Sequence, residues 1–185
     1  MILLESQIIP LDSIKNGGDL NKIERQTFID TVSEVAYMFE KQKKPLLDLL
    51  QKTHPAVNHF FESIERLSFH EPTLKTFEKL KTSAENAVLA FFIIAKNNPL
   101  KKPSTAEDFE TILDKNKEDF ENLTEKIEYD TKAINDYLSK SSQPDIYTLL
   151  YLSFPNIAEN QWDKSIAFLI FIRVKTILDC LSNSY

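Results

Sequence analysis

Apolar residues recur at every third or fourth position over most of the chain, the period of a helix with one buried face. Prolines 45, 55, 72, 99, 103, 144 and 155 cut that pattern into segments. Proline is tolerated in a helix's first turn but not in its interior, so the segments read as separate helices. The first spans about Asn21–Lys43, with Phe28, Val32, Val35 and Phe39 on a narrow arc. Leu46–Gln51 is a short apolar turn or helix. Thr53 as N-cap, with Pro55 in the first turn, predicts a helix to about Phe69. Pro72 opens a longer one to Lys96. Ser104-Thr105-Ala106-Glu107 has capping-box spacing and starts a single helix to about Lys140. A shorter helix runs from Pro144 to Phe154, where Phe154-Pro155-Asn156 stops it and Asn156 caps the last helix. Residues 1–18, broken by Pro10 and Gly17-Gly18, form a leader.

Two stretches depart from the one-faced pattern. Ala87–Ala95 and Ile166–Ile172 are apolar all round, so protein or lipid must enclose them. Both fall short of the roughly 20 apolar residues that cross a bilayer, and Arg173 and Lys175 interrupt the second. They read as the two central helices of a core. Arg173, at the edge of its run, is expected to be held in a buried or half-buried ion pair. The fold expected is all-α: one domain over 1–185, a two-layer helical sandwich or bundle of about six to eight helices.

Composition narrows the chemistry. The chain has 185 residues and only two glycines, Gly17 and Gly18. Phosphate-binding loops, dinucleotide fingerprints and nucleophile elbows need glycine where the backbone turns sharply or meets a ligand, and none can be built here. The single cysteine, Cys180, allows no intrachain disulfide and no zinc quartet. It reads as a buried thiol in a reducing setting. With no basic segment followed by an apolar core at the start, a cytoplasmic location is expected. The net charge is −6, and residues 105–138 hold eleven acids against four lysines. No segment is strongly basic, which argues against nucleic acid as a partner. The histidines are His54, His59 and His70. The Glu-x-x-His pairs of a carboxylate di-metal bundle do not occur, so neither a metal nor another cofactor is expected.

Phe28-Ile29-Asp30-Thr31-Val32-Ser33-Glu34-Val35-Ala36-Tyr37-Met38-Phe39-Glu40 resembles the first core helix of the glycolipid transfer proteins. Leu3-Leu4 with Pro10-Leu11, Glu71-Pro72 with Lys75-Thr76-Phe77, and Leu149-Leu150-Tyr151-Leu152-Ser153-Phe154-Pro155 are similar to the family in the same order. His54-Pro55-Ala56-Val57-Asn58 stands where that family has Asp-x-x-x-Asn. The family's headgroup centre uses an aspartate, an asparagine, a lysine, a tryptophan and a histidine. Only Asn58 matches. His54 replaces the aspartate, Phe61 stands at the lysine, and no tryptophan lies near Lys81.

The resemblance implies a non-enzymatic protein that binds, transfers or senses one lipid, a sphingolipid or another two-chain lipid, with a degenerate headgroup site at Asn58 and His54. Its acyl chains would lie among Phe28, Val32, Phe39, Phe61, Phe91, Phe92, Phe168 and Phe171. Tyr147, Tyr151, Phe154 and Trp162, near the junction of the last two helices, are candidates for transient docking on a membrane surface, where Tyr and Trp are favoured. The alternative is an all-helical adaptor with a filled core and a protein partner on the acidic helix 105–138.

Overall fold

The computed structural model describes residues 23–70, 72–126 and 131–185; the expected leader lies outside them. Among the described residues the chain forms eight α-helices and no strand: α1 Arg25–Tyr37, α2 Glu40–Thr53, α3 Ala56–Glu65, α4 Leu74–Ala95, α5 Ala106–Lys126, α6 Thr131–Ser139, α7 Pro144–Ile157 and α8 Gln161–Ser184. A 3-10 turn, Arg66–His70, extends α3. The all-α expectation holds.

The boundaries differ where a tertiary contact or a capping side chain outweighs the local pattern. The expected Asn21–Lys43 helix breaks at Met38 and Phe39, both extended. The Gln42 side chain accepts the Phe39 N–H at 3.0 Å, so α2 starts afresh. Pro45 then sits inside α2 instead of dividing it, which costs one backbone bond to the preceding turn. Pro155 is likewise carried within α7, and Asn160 rather than Asn156 caps α8, accepting the Asp163 N–H at 2.8 Å. The capping box is displaced by one residue. Thr105 and Asp108 exchange the bonds, at 2.8 and 3.1 Å, and they hold the Asp108 carboxyl below its usual range.

The expected helix 105–140 appears as α5 and α6. In one continuous helix Phe120 and Tyr137 would stand about 25 Å apart. Instead their rings lie 5.1 Å apart, and the Tyr137 hydroxyl donates to Asp119 at 3.1 Å. α6 therefore folds back on α5.

Hydrogen bonds between helix ends fix the directions. Thr73 N–H, before α4, donates to Asp163 in the first turn of α8 at 3.0 Å. Lys101 N–H, beyond the end of α4, donates to the Ser184 carbonyl at the end of α8 at 2.8 Å. α4 and α8 thus run parallel, side by side. α1 and α7 pack on one side of this pair; α3 and α5 pack against α8 on the other. α2 lies over α3 and α4, and α6 over α7. The connections α3–α4 and α7–α8 share one end, called here the lower pole; the start of α2 lies beside the middle of α4, where Lys43 donates to Asn86 at 3.0 Å. His54, Ser104 and Tyr185 meet at the upper pole.

α4 is sealed. From Ala87 to Ala95 no residue exceeds 7 % exposure. Small side chains at Ala87, Ala90 and Ala95 let neighbours approach closely, so added volume has nowhere to go. Ala90→Leu is expected to lose about 1–3 kcal/mol of stability by overpacking, measured by urea unfolding.

Candidate functional site

Three features stand out from the packed interior: two buried polar clusters and one half-open apolar seam.

The first cluster joins the upper pole. His54 follows α2, and its side chain is completely buried. Its Nδ1 accepts the Ser104 backbone N–H at 3.3 Å and lies 3.2 Å from the Ser104 hydroxyl. The ring proton therefore belongs on Nε2, which reaches the Tyr185 hydroxyl at 3.1 Å. Burial pushes the imidazole down to about 4, so it is neutral near pH 7. A serine hydroxyl beside an imidazole lone pair is the contact from which a nucleophile is made. Here the lone pair is shared with a backbone N–H and Ser104 is itself buried. The contact ties the end of α2 to the α4–α5 loop and the end of α8. Beside it lies a cavity of about 110 Å³ bordered by Ser104, Asp108, Ile112, Cys180, Asn183 and Ser184, among others. Pockets for drug-sized ligands run to roughly 300–1,000 Å³, so a two-chain lipid does not fit this one. The Cys180 thiol is buried and pushed up to about 12, chiefly by desolvation and then by Asp179, far from a reactive thiolate.

The second cluster is centred on Lys175 of α8, 4 % exposed. Its ammonium donates to Asp179 at 2.8 Å and to Asn116 of α5 at 2.9 Å. It also lies 5.5 and 5.1 Å from the ring centres of Tyr137 and Tyr147, within cation–π range. Asp179 accepts from the hydroxyls of Tyr147 and Ser142 at 2.6 and 2.9 Å. Asn116 donates to Thr176 at 3.0 Å. Burial, reinforced by Asp179, drives the Tyr147 phenol well above its usual range. A lone lysine four residues before an aspartate, inside an apolar helix, was the available signal in the sequence. It shows the pair but neither Asn116 nor the tyrosines.

The seam runs along the lower half of α8. α8's apolar run is as continuous as α4's, yet Phe168 and Leu169 are only half-buried. Phe168 faces α7 and α5, where Tyr151 and, beyond Phe120, Tyr137 of α6 are also half-buried; Leu169 is on the face of Arg173, which reaches Ser63 of α3. The Phe168 ring stands 5.3 Å from Phe120 and 6.3 Å from Phe171, with Tyr151 5.5 Å from Phe171. Here the interior reaches the surface.

The candidates read from the sequence are therefore dispersed. His54 and Asn58 do not share a polar patch: His54 is enclosed, whereas Asn58 is exposed on the first turn of α3. The helix break between Thr53 and Ala56 removes the four-residue register that would have aligned them. Phe28, Phe91 and Phe92 are in the sealed core, while Val32 and Phe61 pack at its margin. Phe39 is corrected outright: it is 70 % exposed, because the break before α2 turns it outward. Phe168 and Phe171 do meet, in the seam. Of the docking candidates Trp162 is exposed, Tyr151 is half-buried, and Tyr147 and Phe154 are buried; Tyr147 is drawn inward by Asp179. Arg173 forms no ion pair among the described residues. It donates to the carbonyls of Ser63 and Leu169 at 3.2 and 2.9 Å. No group of His, Cys, Asp and Glu side chains suited to a metal ion occurs among the described residues, and no helix there is long and apolar enough to cross a membrane.

No protein-family model, curated protein or solved structure matches the chain.

Proposed function

We propose that this protein is a non-enzymatic lipid-binding protein that holds an acyl chain of a single lipid in the seam between α5, α6, α7 and α8. One observation carries the reading: of the two runs that are apolar all round, Ala87–Ala95 of α4 is sealed, whereas that of α8 is left half-open at Phe168, on the face toward α5, α6 and α7. Half-exposed aromatic surface is costly to leave in water, at about 25 cal/mol per Å², and an acyl chain would cover it. The resemblance to glycolipid transfer proteins points the same way. The headgroup pair Asn58 and His54 has no part in this reading.

Phe168→Trp is the test, because it enlarges a half-buried ring that faces the seam. Stability is expected to change by less than about 1 kcal/mol, while lipid retained after incubation with vesicles, read by native mass spectrometry, falls at least about tenfold. Equal retention by variant and wild type would remove the seam from the account. If the wild type retains no lipid, the adaptor reading takes its place. That reading is favoured by the solid packing around α4 and by the exposed acids Glu107, Asp114, Glu118 and Glu121 on α5.

A further inference from the structure

The loop between α6 and α7, residues 140–143, ties an exposed serine to the buried ion pair. Ser142 is exposed, yet its hydroxyl donates to the Asp179 carboxylate at 2.9 Å and lies 3.0 Å from the Tyr147 hydroxyl. Asp179 in turn accepts from the enclosed Lys175 ammonium. The neighbours of Ser142 hold the loop on both sides. The Ser141 hydroxyl donates to the Tyr137 carbonyl at 3.3 Å, and the buried Gln143 side chain accepts the Ile23 N–H at 3.2 Å. A change of chemistry at this one surface hydroxyl therefore reaches the polar cluster that joins α5, α6, α7 and α8.

The sequence around Ser142 has the form that acid-directed serine kinases accept, with an acidic residue three positions on. That residue is Asp145, exposed in the first turn of α7. The same spacing occurs at Thr27, Thr82 and Thr111, but there both residues lie inside helices, whose hydrogen-bonded backbone does not extend into a kinase cleft. Ser104 has it too and is buried. At Thr105 the acid is spent on the helix cap, Asp108 accepting from the Thr105 N–H and hydroxyl at 2.8 Å each. Of these positions Ser142 combines an exposed hydroxyl, a loop backbone and an acid free to meet the kinase. We infer that Ser142 is a phosphorylation site for an acid-directed kinase, and that the phosphate drives the α6–α7 loop off α8.

In the transfer the Ser142 oxygen bonds to the γ-phosphorus of a nucleoside triphosphate. The bond from that phosphorus to the β,γ-bridging oxygen breaks, the nucleoside diphosphate leaves, and the hydroxyl proton goes to the kinase's base. The product differs from serine in two ways. Its oxygens only accept, so Asp179 loses the bond at 2.9 Å. It also sets a charge of about −1.5 to −2 beside a carboxylate. The cations nearby do not offset this. Lys175 is paired with Asp179 and enclosed by the rings of Tyr137 and Tyr147, so it reaches the phosphate only by abandoning Asp179. Lys140 is exposed, and a solvent-screened surface pair contributes little. Asp145 adds a negative charge on the α7 side. Once lifted, the phosphate settles toward the N-terminus of α7, where the helix dipole favours an anion. The inference does not depend on what the seam holds.

The full chain is incubated with magnesium ATP and a casein kinase, and mass spectrometry of the intact and fragmented protein counts and locates the phosphate. The expected result is one phosphate, on Ser142. Ser142→Ala should lose that incorporation, and Asp145→Asn should take up markedly less. Asp145→Asn should keep the circular dichroism and thermal midpoint of wild type, since Asp145 is exposed, so its loss of labelling is not a loss of fold. The phosphorylated chain should unfold at least about 3 °C below the unmodified one. Ser142→Ala, which removes the hydrogen bond without adding charge, should lose less. Amide hydrogen exchange over residues 140–143 should quicken on phosphorylation. The proposal is overturned if wild type takes up no phosphate, or if Ser142→Ala takes up as much as wild type. It is also overturned if the phosphorylated chain is as stable as the unmodified one with its loop equally protected. The phosphate would then have joined Lys175 or Lys140 instead of displacing the loop.

Discussion

Replacing Lys175 with methionine is expected to destabilise the protein by about 3–5 kcal/mol, the usual cost of removing one partner from a buried ion pair. The side chain volumes are similar, so the loss would not come from a cavity. It would come from Asp179, left with a charge that only Tyr147, Ser142 and Asn116 still compensate. Asp179→Leu alone should also be costly, because it leaves the buried ammonium with Asn116 and two tyrosine rings but without its counter-charge. The double variant Lys175→Met with Asp179→Leu should lose at least about 1 kcal/mol less than the sum of the single losses. Urea unfolding of the four proteins measures this. A Lys175→Met protein within about 1 kcal/mol of wild type would mean that the pair is not what joins α5, α6, α7 and α8.

Acid should loosen the upper pole. In the unfolded chain His54 titrates at its ordinary value of 6.5; in the folded protein burial lowers it to about 4. The unfolded state therefore binds more protons between those values, and stability must fall as pH falls through them. His54's contribution is fully present above pH 6.5. It declines by about 3 kcal/mol once pH is below 4, because each tenfold difference in proton affinity between the two states is worth about 1.36 kcal/mol. Carboxylates also titrate in this range, so the readout is a difference. His54→Gln should be less stable than wild type at pH 7, having lost the Ser104 and Tyr185 contacts. The gap should close or reverse as pH falls to 4 and below, where the folded wild-type imidazole takes up its proton. A gap independent of pH would show that His54 stays neutral, or is hydrated, in the folded state.

Much of the architecture was legible in the sequence because it follows from local period. An apolar residue at every third or fourth position names the buried face of its own helix. An uninterrupted apolar run names a helix buried on all sides. That is why α4 and α8 stand at the centre, and why Cys180 is buried. The near-absence of glycine likewise anticipated a chain of helices and loops with no strand among the described residues. Helix ends were less legible, because a cap is one hydrogen bond. Thr105 competes with Ser104 for the start of α5, and Asn160 with Asn156 for the start of α8. The winner depends on what else each side chain can reach: Ser104 is taken by His54.

Only the tertiary structure decided the rest. His54 bonds Tyr185, 131 residues away, and Lys175 bonds Asn116, 59 residues away. No local pattern encodes such pairs, since each residue by itself looks like an ordinary surface group. The same reason applies to the apolar positions. Periodicity said that Phe28, Phe39, Phe91 and Phe168 prefer to leave water. It could not say that the chain breaks before Phe39 and turns it outward, or that Phe91 is sealed while Phe168 is left half-open. Burial of a side chain is a property of the surfaces that close over it, and those come from other helices.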